Sequence, residues 1–451
     1  MCDEAPQPRV SSIPHNKNVA AFAVRALRSR NYRLFFTGQS LSLIGTWMTR
    51  IATSWLVYRF TDSAFLLGIA SFAGQIPAFF IAPLAGVWVD RWDRHRTLVI
   101  TQVLSMLQSF ALAALALMGV ITVWDIVLLA LFQGLINAFD MPARQAFVVQ
   151  MVDGRNDLGN AIALNSSIVN AARLVGPAIA GLIIAAVGEG YCFLIDGISY
   201  IAVIASLLAM RSLPLPSRKQ RRRVHHELNE GWRYIVQFIP IRSIFLLLAL
   251  VSLVGMPYSV LMPVFASNVL HGGAHTLGFL MAASGVGALT SAITLALRKS
   301  VVGLGRMIPI SSALFGAALI GFGMSRWLWL SLVLMLFAGF GLMQQLAASN
   351  TIVQTIVEED KRGRVMAFYA MSLLGVAPFG SLLGGALAAR IGAPATVIFG
   401  GTVCLAGAIW FARLLPRLRK MIRPIYVELG ILPELAEGIQ SATAFQTPPE
   451  S

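Results

Sequence analysis

This sequence is short of charge: Asp, Glu, Lys and Arg make up 12% of its 451 residues, where a soluble domain carries roughly 25%. So few charges cannot cover a water-facing surface, and a soluble globular protein is excluded. Cysteine is scarcer still. Cys2, Cys192 and Cys404 are too few and too scattered for a disulfide framework or a metal cluster, and each reads as a small apolar residue. His15, His95, His225, His226, His271 and His275 do not fall at ligand spacing with acids, so no metal is expected. No glycine-rich loop carrying a lysine occurs, so no nucleotide cofactor is expected either. These absences argue against a polytopic membrane enzyme and against an ATP-driven pump with its own motor, and leave a receptor or channel as the competing class. The first thirty residues lack the apolar core of a signal peptide, so the first span is expected to act as the insertion signal.

What the chain does have is long apolar runs. About 20 apolar residues cross the hydrocarbon of a bilayer as a helix. Leu66–Trp88, Thr97–Trp124, Ser243–Leu270, Thr276–Leu297, Trp327–Val357, Val365–Ala389 and Ile391–Ala412 contain no charged residue. Met307–Ser325 is shorter but adequate, while Leu34–Tyr58, Trp124–Ala143, Asn160–Val187 and Tyr191–Met210 each carry or border a charge. Together these runs predict an all-α integral membrane protein with twelve transmembrane helices.

A formal net charge of +15 invites a nucleic-acid reading, which the placement of the basic residues removes. Every Lys and Arg except Arg50, Arg59, Arg173, Arg326 and Arg390 falls before the first span, in alternate connections or after the last span. That is the positive-inside pattern; it predicts that both termini are cytoplasmic and that the basic loops face anionic lipid. The chain divides into a cytoplasmic N-terminal segment (1–33), an N-terminal six-helix bundle (34–210), a cytoplasmic linker (211–242), a C-terminal six-helix bundle (243–415) and a cytoplasmic tail (416–451). The linker carries Arg218-Lys219-Gln220-Arg221-Arg222-Arg223 and is expected to form a short interfacial helix near Trp232. Internal repetition supports two pseudo-symmetric halves. Leu67-Gly68-Ile69-Ala70 matches Leu277-Gly278-Phe279-Leu280, and the Val149-Gln150 and Val353-Gln354 pairs are each followed, 27 and 24 residues after the Gln, by Pro177 and Pro378. Duplicated halves of this kind hold a substrate between them near the midplane.

The connection after the second span is the most specific signal. Gly86-Val87-Trp88-Val89-Asp90-Arg91-Trp92-Asp93-Arg94-His95-Arg96 resembles the signature between helices two and three of the major facilitator superfamily, with Gly86, Asp90, Arg91, Arg94 and Arg96 at its positions. Asp90 ends its own helix, where the macrodipole disfavours an anion, so it needs a cation or another helix's N-terminus. The resemblance implies a conformational latch that grips the start of the eleventh helix near Gly363-Arg364 when the cytoplasmic side is closed. No acid stands at the corresponding place near Arg298-Lys299-Ser300, so the latch is expected on one side only.

Polar residues recur on one face of several spans: Gln39, Ser42, Thr46, Arg50 and Thr53 in the first; Gln133, Asn137, Asp140 and Arg144 in the fourth; Ser166, Asn170, Arg173 and Pro177 in the fifth; Gln344, Thr351 and Gln354 in the tenth. The resemblance implies that helices one, four, seven and ten line a cavity, although small polar residues also serve as interhelical glue. Gln39, Arg50, Gln133, Asn137, Asn170, Arg173 and Gln344 are the cavity candidates. A charge at the bilayer centre costs at least about 2.5–3.5 kcal/mol, and Arg173 lies roughly 20 Å from either end of its span, so it must meet water, protein or substrate. Asp196 is the acid well inside the sixth span and the first proton-coupling candidate, with Asp140 its rival; the plainer alternative for Asp196 is a pair with Arg50.

Ala172-Arg173-Leu174-Val175-Gly176-Pro177-Ala178-Ile179-Ala180-Gly181 resembles the fifth-helix signature of exporting members, matching at Gly176, Pro177 and Gly181. Ala130 stands where drug exporters place a proton-relay arginine. Arg25 to Phe36, Trp47 to Tyr58, Asp62-Ser63-Ala64 and Asn137 to Gln145 are similar to the subgroup of the enterobactin exporter, the transmembrane secretion effectors. The resemblance implies a monomeric, proton-coupled exporter of a small amphiphilic, siderophore-like or drug-like molecule in a bacterial inner membrane. With two intramembrane arginines, its cavity suits anionic or neutral cargo better than cations. An importer or uniporter of the same superfamily is the alternative.

Overall fold

The computed structural model describes residues 25–89, 92–152, 155–210, 232–298 and 300–431, and among them it contains helices and no strand. The first half comprises α1 (Arg30–Thr61), α2 (Ala64–Val89), α3 (Arg94–Leu117), α4 (Val123–Met151), α5 (Arg155–Val187) and α6 (Glu189–Leu208). The second comprises α7 (Ile239–Leu250, a π turn at Val251–Gly255, Tyr258–Val264 and a π turn at Phe265–Val269), α8 (Ala274–Ala296), α9 (Leu304–Met324) and α10 (Leu328–Ile356). It ends with α11 (Glu359–Ala370, a π turn at Met371–Gly375 and Ala377–Ile391) and α12 (Ala393–Glu428).

Eleven of these helices are long and apolar enough to cross a membrane. The one that falls short is α1, and the reason is its polar stripe: Gln39, Ser42, Thr46, Arg50 and Thr53 dilute an otherwise apolar helix of 32 residues. It nevertheless packs along its length against α5 and α6, deep in the first half. Local chemistry sets the ends. Asp93 caps α3 by accepting from the backbone N–H of His95 (2.9 Å) and Arg96 (3.2 Å). Thr122 and Asp125 form a reciprocal capping box at the start of α4, with Thr122 N–H donating to Asp125 Oδ2 at 2.8 Å.

Several helix ends lie outside the expected spans, two of them at prolines. The seventh helix begins at Ile239 rather than Ser243 because Pro240 sits in its first turn, where a missing N–H costs nothing. The last helix runs to Glu428, through Pro416 and Pro424, whereas a tail was expected to begin at 416; each proline removes one backbone hydrogen bond, and the helix continues around it. Ahead of α7, residues 232–237 are helical and Trp232 lies 5.9 Å from Phe368 of α11. The arginine run at 218–223 lies outside the described residues.

Within each half the helices pack in a matching order, and across the halves α2 lies against α11 and α5 against α8. The halves repeat each other in detail. Among the described residues, the non-glycine positions with positive φ are Asp62 (46°), ending α1, and His271 (49°), just after α7. They occupy the same place in the two repeats, the tight turn before the second helix of each half.

Candidate functional site

The two most extensive cross-half contacts are built from glycine. A Cβ placed on Gly278 of α8 would stand 2.6 Å from the Pro177 carbonyl oxygen and 3.0 Å from the Gly181 Cα of α5. Its counterpart, Gly68 of α2, would meet the Ser381 carbonyl oxygen at 2.8 Å and the Gly385 Cα at 3.1 Å of α11. Backbones this close leave no room for a side chain. Further along the same seams, a Cβ on Gly285 would meet the Leu174 Cα at 2.9 Å, and Phe79 sits edge-on to Phe379 at 5.5 Å. Polar ties add to them: Ser71 Oγ donates to Ser381 Oγ (3.1 Å), and Asn268 Nδ2 donates to Asp62 Oδ1 (3.4 Å). At the opposite end of the same helices two glycines face open space. Gly159 of α5 and Gly363 of α11, each 22 residues before Gly181 and Gly385, have no atom within 4 Å of where a Cβ would stand.

Near the middle of the bundle, α1 and α5 bring the two arginines together. The Arg50 guanidinium lies over the Trp47 ring at 5.2 Å from its centroid, and that of Arg173 lies over the same ring at 5.8 Å. Gly176 makes this possible, since a Cβ there would collide with the Trp47 Cβ at 2.6 Å. Arg50 keeps an accessible surface although protein surrounds it, and Arg173 is half-buried. The sequence singled out both arginines but passed over Trp47, because an aromatic in a span reads equally well as lipid-facing or packed.

Asp196 does not pair with Arg50. It is buried on α6, where Oδ2 accepts from Thr49 Oγ1 of α1 (2.8 Å) and Ser109 Oγ of α3 (2.9 Å). Its Oδ1 is buried without a hydrogen-bond partner and faces Gly45, where a Cβ would come within 2.6 Å. A carboxyl with one satisfied and one orphaned oxygen is costly to keep ionised out of water. Asp140 is held differently. It is buried on α4, ion-paired with Arg144, and its Oδ1 accepts from Gln102 Nε2 (2.7 Å) and Thr101 Oγ1 (3.0 Å) of α3.

The other polar candidates divide between cavity and packing. Gln133 Nε2 donates to Ser105 Oγ and to Asn137 Oδ1, both at 3.2 Å, which ties α4 to α3 and leaves Oε1 unpartnered. Gln39 is buried on α1. The Asn170 amide turns back to the Ser166 carbonyl of its own helix at 2.9 Å. Gln344, expected in the cavity, is 1% exposed; its Oε1 accepts from Ser291 Oγ of α8 at 2.7 Å. A glutamine spaced along a polar stripe looks the same from sequence whether it faces a cavity or a neighbouring helix, and here it faces the helix. Of the latch residues, Asp90 and Arg91 lie outside the described residues, Gly86 belongs to α2, and Arg94 and Arg96 open α3, with Arg96 Nε 3.8 Å from Asp93.

Comparison with known proteins matches this architecture. The family model of transmembrane secretion effectors, a major facilitator family, covers residues 21–423. The staphyloferrin A transporter of Staphylococcus aureus is 29% identical over 84% of this chain and 95% of its own length. The multidrug efflux pump Tap of Mycolicibacterium fortuitum is 28% identical over 84% and 93%. The enterobactin exporter EntS of Escherichia coli is 25% identical over 78% and 84%. Among solved structures, an inward-facing, unoccupied bacterial homologue of the lysosomal transporter Spinster superposes with a TM-score of 0.62 at 13% identity, covering 89% of this chain and 98% of its own. The paired six-helix halves and the buried intramembrane charges are thus those of a multi-pass transporter of the bacterial cytoplasmic membrane, not of an enzyme, and the chain belongs to the transmembrane secretion effector family of the major facilitator superfamily.

Proposed function

We propose that this chain is a monomeric, proton-coupled exporter that moves a small amphiphilic molecule, siderophore-like or drug-like, out of the cytoplasm by alternating access. The observation that carries this reading is the asymmetry of the seams. Glycine crossings join the halves at the end holding Gly68, Gly181, Gly278 and Gly385, while Gly159 and Gly363 stand unpacked at the other. That is the shape of a carrier open toward one side, and the distribution of Lys and Arg makes that side the cytoplasm, with both termini there and α1 as a twelfth span. In the opposite state the latch of Gly86, Asp90, Arg91, Arg94 and Arg96 closes on the start of α11 near Gly363. Asp196 is the favoured proton carrier, since Asp140 is already neutralised by Arg144.

Everted membrane vesicles provide the test. Siderophores and macrolides are offered outside vesicles whose lumen is acidified, and accumulation is expected to collapse when a protonophore is added. Accumulation that survives collapse of the gradient rules out antiport, and accumulation confined to right-side-out vesicles indicates an importer.

A further inference from the structure

Arg50 and Arg173 present an unbalanced double positive charge in the middle of the protein. No carboxylate of the described residues stands within ion-pair distance of either guanidinium. Asp196, buried on α6, is turned toward Thr49 and Ser109. What both arginines share is Trp47, whose ring lies under Arg50 at 5.2 Å and under Arg173 at 5.8 Å. An indole face attracts cations, yet it carries no charge and cannot neutralise two of them. The two guanidiniums, set on one ring, repel each other through a medium that screens poorly.

Gly176 seats α5 directly on α1 at Trp47 and at the Ile44 carbonyl (3.0 Å), which sets the ring in the seam between the two helices that carry the arginines. The site also borders the moving seam, because the Arg173 carbonyl and the Leu174 Cα are where Gly285 of α8 crosses α5, at 3.3 and 2.9 Å from its would-be Cβ. Guanidinium groups bind oxyanions through paired N–H donors, and an indole accepts a flat apolar body beside them.

We infer that Arg50, Trp47 and Arg173 form an oxyanion-binding subsite and that the exporter's cargo is an organic anion, a carboxylate or comparable oxyanion on an apolar, planar frame. This rests on the transport reading above and specifies its substrate class. The anion supplies counter-charge that the described residues do not, so loaded and empty carriers differ by at least one unit of intramembrane positive charge at the junction of the halves.

Calorimetry on the purified full-length protein in neutral detergent tests this without any gradient, using 2-naphthoate and the uncharged 2-naphthamide, which share one ring system. The wild type is expected to bind the carboxylate at least about tenfold more tightly, as one charge-assisted hydrogen bond permits. Arg50→Gln and Arg173→Gln each remove most of that preference, and the Arg50→Lys/Arg173→Lys protein keeps part of it. Equal affinity for the two probes, binding of neither, or a preference that survives in the double glutamine variant overturns the proposal. The wild-type comparison decides even if a variant fails to fold. Charge-selective binding with no vesicle transport would sink the exporter reading alone, and transport of cargo without charge preference would sink this one alone.

Discussion

Gly385 of α11 and Gly68 of α2 touch backbone to backbone: a Cβ on Gly385 would stand 2.9 Å from the Gly68 Cα and 2.8 Å from the Ala64 carbonyl. Gly181 stands in the same relation to Gly278 and Ala274, at 3.0 and 2.8 Å. The two crossings are therefore one contact made twice, and they should fail alike.

Gly68→Val and Gly278→Val are each expected to destabilise the joined state by about 1–3 kcal/mol, as overpacking does. Melting of the detergent-solubilised variants should fall by similar amounts, and a cysteine-reactive probe applied from the far side should gain access to the middle of the bundle. Gly159→Ala, where a Cβ meets nothing, is the control and should not lower the melting temperature.

Asp196→Asn should abolish gradient-driven accumulation while leaving probe binding and cargo exchange without a gradient intact. The amide keeps an acceptor for Thr49 and Ser109 but cannot exchange a proton. Comparing driven uptake with counterflow in the same vesicles separates these two. Loss of both, or of neither, removes Asp196 from the coupling role.

Asp140→Asn leaves Arg144 facing a neutral amide in a largely buried place. A cost of about 2 kcal/mol in stability is expected. The Asp140→Asn/Arg144→Gln double variant should recover part of it. A thermodynamic cycle on these proteins should give a coupling within about 0.5–3 kcal/mol, and a value near zero would mean the pair carries no stability.

Asp90→Asn should insert normally and lower transport about tenfold, the loss of one charge-assisted hydrogen bond in the cytoplasm-closed state. Transport at the wild-type rate would remove the latch reading, whatever becomes of the neighbouring arginines.

Much of the architecture was legible because it depends on local spacing. Leu67-Gly68 and Leu277-Gly278 stood out as a repeat, and the structure gives both glycines the same role. Gly176, Pro177 and Gly181 likewise pointed to a tightly packed fifth helix, and each now has a named neighbour on α1 or α8. The site was less readable, because its partners come from different helices. Thr49 and Ser109 converge on Asp196 from α1 and α3, and no spacing within one helix could show it. Trp47 gains its meaning from Arg173, 126 positions further along. Gln344 carried the same polar signal as a cavity residue and proved to be a tie to Ser291.

The polar face of α1 bears on biogenesis. Its oxygens and its arginine leave it, alone among the twelve long helices described, less apolar than a self-sufficient span. Yet it is the earliest of them to be synthesised. Its cover comes from α5 and α6, so the helix expected to act as the insertion signal is the one that depends most on later neighbours to settle in the membrane.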